Sequence, residues 1–164
     1  MTKLKLIELS IPPSESDFLA IEAKFGIVFP PTLKAHYLLE NGGIPDCHKM
    51  YYVPVGSNPG EVDEVTFNGF YPIRYQSRPT ESTLEENYIE FTERQKLFDP
   101  KKYIPFGYDV SGYPLLIDFE NQGIHLLNRD MVDENDNELV EYIVNSLEVF
   151  LSGLMPADDY ENSL

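Results

Sequence analysis

The stretch IPFGYDVSGYPLLIDF, residues 104–119, has the apolar pattern of two short strands joined by a turn. Residues 114–119 form one of the most continuously apolar runs in the chain, and residues 109–112 have the composition of a turn. A third apolar segment follows at residues 123–128. Short apolar runs bounded by turn residues are typical of buried strands. The pattern therefore predicts a three-stranded meander around which the rest of the chain packs.

Apolar residues at helical spacing predict two helices before the meander. Ser14 can cap the first of them, with Asp17 in the reciprocal position of a capping box, and Gly26 can end it. Prolines suit the first turn of a second helix over residues 31–40. Residues 41–43, Asn-Gly-Gly, predict the end of that helix, because Asn and Gly tolerate positive φ.

The middle of the chain predicts further strands and a third helix. Residues 51–55 predict an edge strand, because proline cannot donate to the ladder. Residues 61–67 and 70–75 predict a hairpin joined by Asn-Gly at 68–69, a strong two-residue turn signal. After a polar loop, residues 84–98 predict a helix with Ser82 available as its cap.

The C-terminal part predicts a charged loop at residues 129–137 and one more helix. Asn135 can cap this helix, Gly153 and Pro156 can end it, and residues 157–164 form a short acidic tail. Its apolar stripe comprises Leu139, Ile143, Leu147, Phe150 and Leu154. The whole pattern predicts one α+β domain over residues 1–164, with an antiparallel sheet of about five or six strands and helices packed around it.

The charge balance narrows the function. The chain has 12 Lys and Arg against 28 Asp and Glu, a formal net charge of −16. Direct nucleic-acid binding and adhesion to anionic lipid both require the opposite sign. After Lys102 the only basic residue is Arg129, so the C-terminal part presents the negative surface. Such a field steers basic partners, although acidity that only maintains solubility is the alternative.

Targeting signals and cofactor motifs are not apparent in the sequence. Cys47 has no second cysteine with which to form a disulfide or a thiolate metal site, the first 15 residues do not resemble a signal peptide, and no run approaches the length of a membrane span. We expect a cytoplasmic protein with no cofactor and no bound metal. A homo-oligomer is not predicted.

Catalytic motifs are equally absent. Ser111 lacks the G-x-S-x-G context of a hydrolase nucleophile, and Cys47 and His48 are adjacent rather than placed as a pair. His36, His48 and His125 have no metal-binding spacing, and the acidic segment from Asp133 lacks the Gly and Glu that a calcium loop needs. Carboxylates are plentiful, but none is marked out as an acid/base pair.

Two sequence blocks then combine into a family resemblance. FGIVFPPTLKAHYLLENGGIP at residues 25–45 is followed by IPFGYDVSGYPLLIDF and by VNSLEVFLSGL at residues 144–154. This order and spacing resembles the SUKH superfamily, the Smi/Knr-type domain, over nearly the whole chain. The residues that match its pattern are Gly26, Phe29, Pro30, Leu33, Asn41, Gly42, Gly43, Pro105, Phe106, Gly107, Asp109, Gly112, Asp118, Phe150 and Leu151.

The resemblance implies an α+β protein-binding domain without enzymatic activity. Bacterial domains of this type are commonly immunity proteins that neutralise secreted polymorphic toxins, often nucleases, whereas a fungal relative regulates cell-wall synthesis. The leading hypothesis is therefore an immunity protein that binds a basic toxin domain, and the alternatives are a regulatory protein-interaction module and a cryptic enzyme. Expected partner contacts lie in the turns and the acidic loop: Tyr108, Asp109, Tyr113, Glu120, Asp130, Asp133, Glu134 and Asp136.

Overall fold

The structure, a computed structural model, describes residues 4–46 and 48–156. Cys47, the first three residues and the acidic tail at residues 157–164 lie outside the described residues, so the expectations for them are not tested. The strands in chain order are β1 (Leu6–Ser10), β2 (Asn41–Pro45), β3 (Lys49–Tyr52), β4 (Asp63–Phe70), β5 (Tyr103–Asp109), β6 (Pro114–Asp118), β7 (Ile124–Val132) and β8 (Glu138–Val144). The helices are α1 (Glu15–Phe25), α2 (Pro31–Leu39), α3 (Leu84–Ile89), which continues into a π-helical turn (Glu90–Arg94), and α4 (Leu147–Ser152).

A six-stranded antiparallel sheet in the order β3-β4-β5-β6-β7-β8 forms the centre of the fold. The α+β prediction is confirmed, and so is the meander, which corresponds to β5, β6 and the first part of β7. Every residue of β6 is buried, as its continuously apolar sequence indicates. The expected α1 is also present, with a capping box between Ser14 and Asp17 and a left-handed Gly26 at its end.

A second, two-stranded sheet was not predicted. β1 pairs antiparallel with β2, so that Leu9 lies opposite Gly42. The expectation that residues 41–43 only end a helix is therefore wrong: α2 ends at Leu39, Glu40 is already extended, and Asn41 begins a strand. Among residues 41–43, only Gly42 and Gly43 have a positive φ. At Gly43 a side chain would also collide with β1, because an added Cβ would lie 2.9 Å from Leu9 Cδ2.

The Asn-Gly pair at residues 68–69 does not form a hairpin turn, and residues 70–75 do not form the returning strand. β4 runs straight through to Phe70 and pairs with β5, with a register irregularity between Phe67 and Gly69. Gly69 is required for close approach instead, because an added Cβ would lie 2.5 Å from the hydroxyl oxygen of Tyr108. A tertiary contact has overridden the local turn signal.

We expect the substitution Gly69→Ala to destabilise the fold by about 1–3 kcal/mol, the usual cost of overpacking a filled site. The new methyl group would displace the Tyr108 ring from its place over β4. Urea unfolding measures the loss. If Tyr108 is the cause, most of the loss should disappear in a Tyr108→Leu background; an equal loss in both backgrounds would contradict this explanation.

The last predicted helix is wrong over its first half. Residues 138–144 form the strand β8, and only Leu147–Ser152 is helical, with Ser146 rather than Asn135 as the cap. Asn135 instead lies in a tight turn that joins β8 to a β7 longer than expected, so residues 129–132 are strand rather than loop. In the same way, α3 is capped by Thr83 rather than Ser82.

Aromatic side chains hold the helices on the sheet. Phe67, Phe70 and Phe106 meet edge-on or tilted beneath α2 and α4, where Tyr37 and Phe150 contact them. The Tyr37 hydroxyl lies 2.6 Å from Tyr71 O and 2.9 Å from Phe106 O, so it ties α2 to two sheet segments. Each pair of contacting aromatic rings adds about 0.5–1.5 kcal/mol of stability beyond the contribution of the apolar area that it buries.

The sheet is curled, which brings its two outermost strands together. Tyr52 on β3 donates a hydrogen bond to Glu141 Oε2 on β8, although β3 and β8 are at opposite ends of the strand order. On its outer side, β3 is bridged at Lys49 by Met155, which follows α4. β8 has no backbone partner other than β7 among the described residues.

Candidate partner-binding surface

Three connections gather at one end of the main sheet. The antiparallel register places the loop at residues 53–62 between β3 and β4, the turn at 110–113 between β5 and β6, and the turn at 133–137 between β7 and β8 at this end. We call it the acidic end. Residues 53–64 and 129–141 there carry nine carboxylates and one basic residue, Arg129. The nine are Glu61, Asp63, Glu64, Asp130, Asp133, Glu134, Asp136, Glu138 and Glu141.

Asp109 shapes the turn between β5 and β6. Its Oδ1 accepts hydrogen bonds from the backbone N–H groups of Ser111 (2.9 Å) and Tyr113 (2.8 Å), and Gly112 supplies the positive φ. Asp109 is only 8% exposed, and burial raises its pKa although these backbone bonds lower it. The carboxylate is thus engaged in fixing the turn that presents Val110 to solvent.

Tyr113 links this turn to β7. Its hydroxyl donates a hydrogen bond of 2.6 Å to Asp130 Oδ1, and that bond raises the pKa of the phenol. The backbone N–H of Asp130 in turn donates a hydrogen bond of 3.0 Å to Asn128 Oδ1. Tyr113 and Asp130, two of the residues selected from the sequence, therefore lie in direct contact.

The turn between β7 and β8 is built by Asp133. Its Oδ1 accepts from the N–H groups of Asn135 (2.8 Å) and Asn137 (3.1 Å), and Asp136 has a left-handed backbone at φ 61°. Glu134 and Asp136 are exposed at the tip. The Arg129 guanidinium is held by Glu138 at 3.1 Å, so the single cation of this end is already paired.

Apolar side chains are exposed among these carboxylates. Most strongly exposed is Val55, at 82%. The others at this end are Val53, Val62, Val110, Met131 and Val132. An acidic rim around exposed apolar groups has the composition of a surface for a basic protein partner, since apolar contact supplies affinity and charge supplies specificity and on-rate.

Tyr108 lies apart from this surface, although it is at the same end of β5. It is half-buried, its ring is 5.3 Å from that of Tyr71, and burial raises its pKa. A cavity of about 270 Å³ next to it is lined by Arg78, Glu81 and Phe91 among others. Arg78 already pairs with Glu8 and Glu81, which makes this a structural cluster.

Glu120 lies at the opposite end of the sheet, in the turn between β6 and β7. The Asp118 carboxylate forms this turn by accepting from the N–H groups of Glu120 (2.7 Å) and Asn121 (3.2 Å). Lys101 and Lys102 line the same surface depression as Glu120. The structure therefore groups Tyr113, Asp130, Asp133, Glu134 and Asp136 and separates Glu120 from them.

Neither a metal-binding cluster nor a membrane-spanning helix is found in the part of the chain that the structure describes. No three His, Cys, Asp or Glu side chains there are grouped so that they could hold a metal ion. Of the helices described, none has the length and apolar character needed to cross a membrane.

Comparison with known proteins agrees with the fold. A family model described as SMI1 / KNR4 family (SUKH-1) matches residues 12–153. The chain belongs to this family. No curated protein matches the sequence significantly. In this SUKH domain, polar residues that carried the resemblance have structural roles: Asn41 is buried and hydrogen-bonded to remote backbone, and Asp109 and Asp118 form turns.

Part of the surface of the SUKH domain was missed from the sequence. The loop at residues 53–62 and its carboxylates precede the acidic C-terminal part by about 70 positions, and no local pattern connects the two. Connecting the loop with the acidic C-terminal part would have required the strand order of the sheet. β3 and β8 are at opposite ends of that order, and they meet only because the sheet curls.

Proposed function

We propose that this SUKH domain is a non-enzymatic protein-binding module whose acidic end captures a basic protein partner. The observation that carries the proposal is the gathering of nine carboxylates, one already paired arginine and exposed valines at that end. Opposite charge accelerates encounter by steering, and desolvated apolar contact then slows dissociation. Direct nucleic-acid binding is disfavoured by the same charge.

The partner that best fits the family and the charge is a secreted toxin domain, and the module would act as its immunity protein. A basic nuclease must attract phosphate, so its substrate groove is complementary to an acidic surface. Stoichiometric occupation of such a groove needs no catalytic residues in the inhibitor. A regulatory interaction module of the Smi/Knr type with a partner other than a toxin is the competing candidate.

Co-expression with the C-terminal domain of the protein that the neighbouring gene encodes tests this function. We expect the two chains to co-purify in a fixed ratio and the host cells to survive expression of the toxin domain. Growth arrest with no complex would rule out the immunity role. A complex with a neighbouring protein that is not toxic would support the regulatory module instead.

Charge reversal at the acidic end should slow the association of the domain with its protein partner about tenfold, which is within the usual range for electrostatic steering. The test variant is Glu61→Lys with Glu134→Lys, two exposed positions at this end. The matched control is Glu120→Lys with Glu148→Lys, which changes the net charge equally outside the acidic end. Stopped-flow association rates at several ionic strengths measure the effect, and the wild-type rate should fall as salt rises.

Equal slowing by the test and control pairs would show that net charge, rather than the acidic end, steers the partner. A wild-type association rate independent of salt would contradict electrostatic capture altogether.

A further inference from the structure

The outer edge of β8 is an unpaired strand edge with a groove along it. The groove has a volume of about 450 Å³ and is lined by four consecutive β8 residues, Leu139 to Tyr142. Its other lining residues are Pro54 and Val55 from the loop between β3 and β4, Met131 and His125 on β7, and Tyr103 on β5. Successive side chains of a strand point to opposite faces. A groove that touches all four therefore extends from the sheet face, at Tyr103 and His125, to the edge of β8, where the backbone N–H and C=O groups lie.

This edge lacks two of the usual protections against pairing, lysine and proline. Natural edge strands are commonly blunted by lysine, proline or bulges. The β8 sequence ELVEYIV contains neither lysine nor proline. Its two ladder irregularities fall on either side of a regular stretch in which residues 139–142 pair one-to-one with residues 125–128 of β7. Among the described residues, the backbone of these four thus has no second strand partner along the outer edge, where β3 contributes the side-chain hydrogen bond of Tyr52 with Glu141.

The charge around the groove selects among possible occupants. Glu138 and Glu141 belong to β8 itself, and Asp130, Asp133, Glu134 and Asp136 surround its start. A second copy of this chain would bring an identical acidic strand against it, and like charges on facing strands are destabilising. Residues 157–164 of the same chain carry three acidic residues and would be repelled in the same way.

We propose that β8 pairs with an extended basic segment of the protein partner, which adds a seventh strand to the sheet. In this mode main-chain hydrogen bonds supply affinity, and alternate side chains supply specificity. Lysine or arginine at alternate positions would face the carboxylates, and apolar residues between them would contact Val55, Met131 and Tyr142, all of which are exposed. This inference rests on the proposed function and specifies how its surface is used.

Amide hydrogen exchange in the full chain tests the pairing with a defined probe. The probe is a decapeptide of alternating lysine and valine, and its matched control is the same peptide N-methylated at every backbone nitrogen, which keeps the charge but cannot donate from either edge. We expect the unmodified peptide to slow exchange at least tenfold at alternate amides within residues 139–142. The methylated peptide, and a glutamate–valine peptide, should leave these amides unchanged.

A variant provides a second readout that does not depend on exchange. Val55→Lys places a positive charge in the groove and should weaken binding of the lysine–valine peptide at least tenfold. Val28→Lys, at a site of nearly equal exposure (78% against 82%) in the link between α1 and α2, is the matched control and should bind normally. Both substitutions change exposed residues, so the unfolding midpoint should stay constant.

Two outcomes would overturn the inference. One is equal protection by the methylated and unmodified peptides, which would mean charge attraction without strand pairing. The other is the absence of slowed amides in residues 139–142. If a natural partner co-purifies but leaves the β8 amides exchanging freely, the strand addition is wrong while the proposed function stands.

Discussion

Replacing Asn41 by leucine is expected to lower the free energy of unfolding by about 3 kcal/mol. Asn41 is completely buried, and its side chain joins three segments of the chain. Its Nδ2 donates to Ile11 O and Ile73 O, both at 2.8 Å, and its Oδ1 accepts from Ile73 N at 2.7 Å. Leucine has a similar volume but removes the Asn41 partner of Ile11 O and of Ile73 N, whereas Ile73 O keeps the N–H of Tyr75 at 2.6 Å. Each buried unsatisfied group costs about 1–3 kcal/mol, reduced where the structure can relax or admit water.

Urea unfolding of the Asn41→Leu variant measures the loss as a lower midpoint at an unchanged slope. Asn145→Leu, the same exchange at an exposed position, is the control and should stay within about 0.5 kcal/mol of the wild type. Asn41→Asp separates the two halves of the network, because the carboxylate can still accept from Ile73 N but cannot donate while ionised. If the Asn41→Leu variant unfolds at the same urea concentration as the wild type, the three hydrogen bonds contribute little to the free energy of unfolding.

Asn41 also shows what local sequence could and could not predict. The Asn-Gly-Gly sequence correctly predicted that the helix stops and that glycines take positive φ, since both are short-range properties. The pairing of β2 with β1, and the bonds from Asn41 to residues 11 and 73, depend on segments 30 or more positions away. β1 itself was missed because its short sequence, LIELS, shows no clear alternation of apolar and polar residues. In the structure, Glu8 also departs from a regular strand backbone, with φ at 57°.

The wrong helix at β8 has a more specific cause. Leu139, Ile143 and Leu147 are four residues apart, and this spacing fits one face of a helix. An interval of four is also even, so the same residues share one face of a strand. Two features make residues 138–144 a strand rather than a helix. The tight turn at Asp133 begins the strand, and Ser146, which has an extended backbone, caps a helix that starts only at Leu147. By contrast, β6 was predicted correctly, because a strand that is buried throughout has no competing pattern.

The sequence predicted the negative charge of the proposed partner-binding surface, but not all of the residues that form it. Asp130, Asp133, Glu134 and Asp136 follow one another in sequence, so their proximity needed no tertiary knowledge. The contributions of Val55 and Glu61 depend on the curl that brings β3 to β8. Glu120 was included for its charge and turn context, yet antiparallel connections alternate between the two ends of a sheet, and this turn falls at the other end.

His36 is expected to make the fold less stable as the pH falls from about 6.5 to about 4. Its ring stacks on Phe70 at 4.4 Å, and its Nε2 is buried without a hydrogen-bond partner among the described residues. Burial lowers its pKa from 6.5 to about 4. Because the unfolded chain binds a proton at a higher pH than the folded one, the stabilisation is complete above pH 6.5 and is lost on acidification through pH 4.

The difference of about 2.5 pKa units corresponds to about 3 kcal/mol at 1.36 kcal/mol per unit. Many carboxylates titrate over part of the same range, so the measurement must be a comparison. His36→Phe keeps the stacking on Phe70 and removes the titrating group. Unfolding free energies at intervals between pH 4 and 7 should show the wild type losing about 3 kcal/mol more than this variant. Parallel curves for wild type and His36→Phe would show that acid does not act through His36, and that its neutral, buried imidazole is not what limits the domain at low pH.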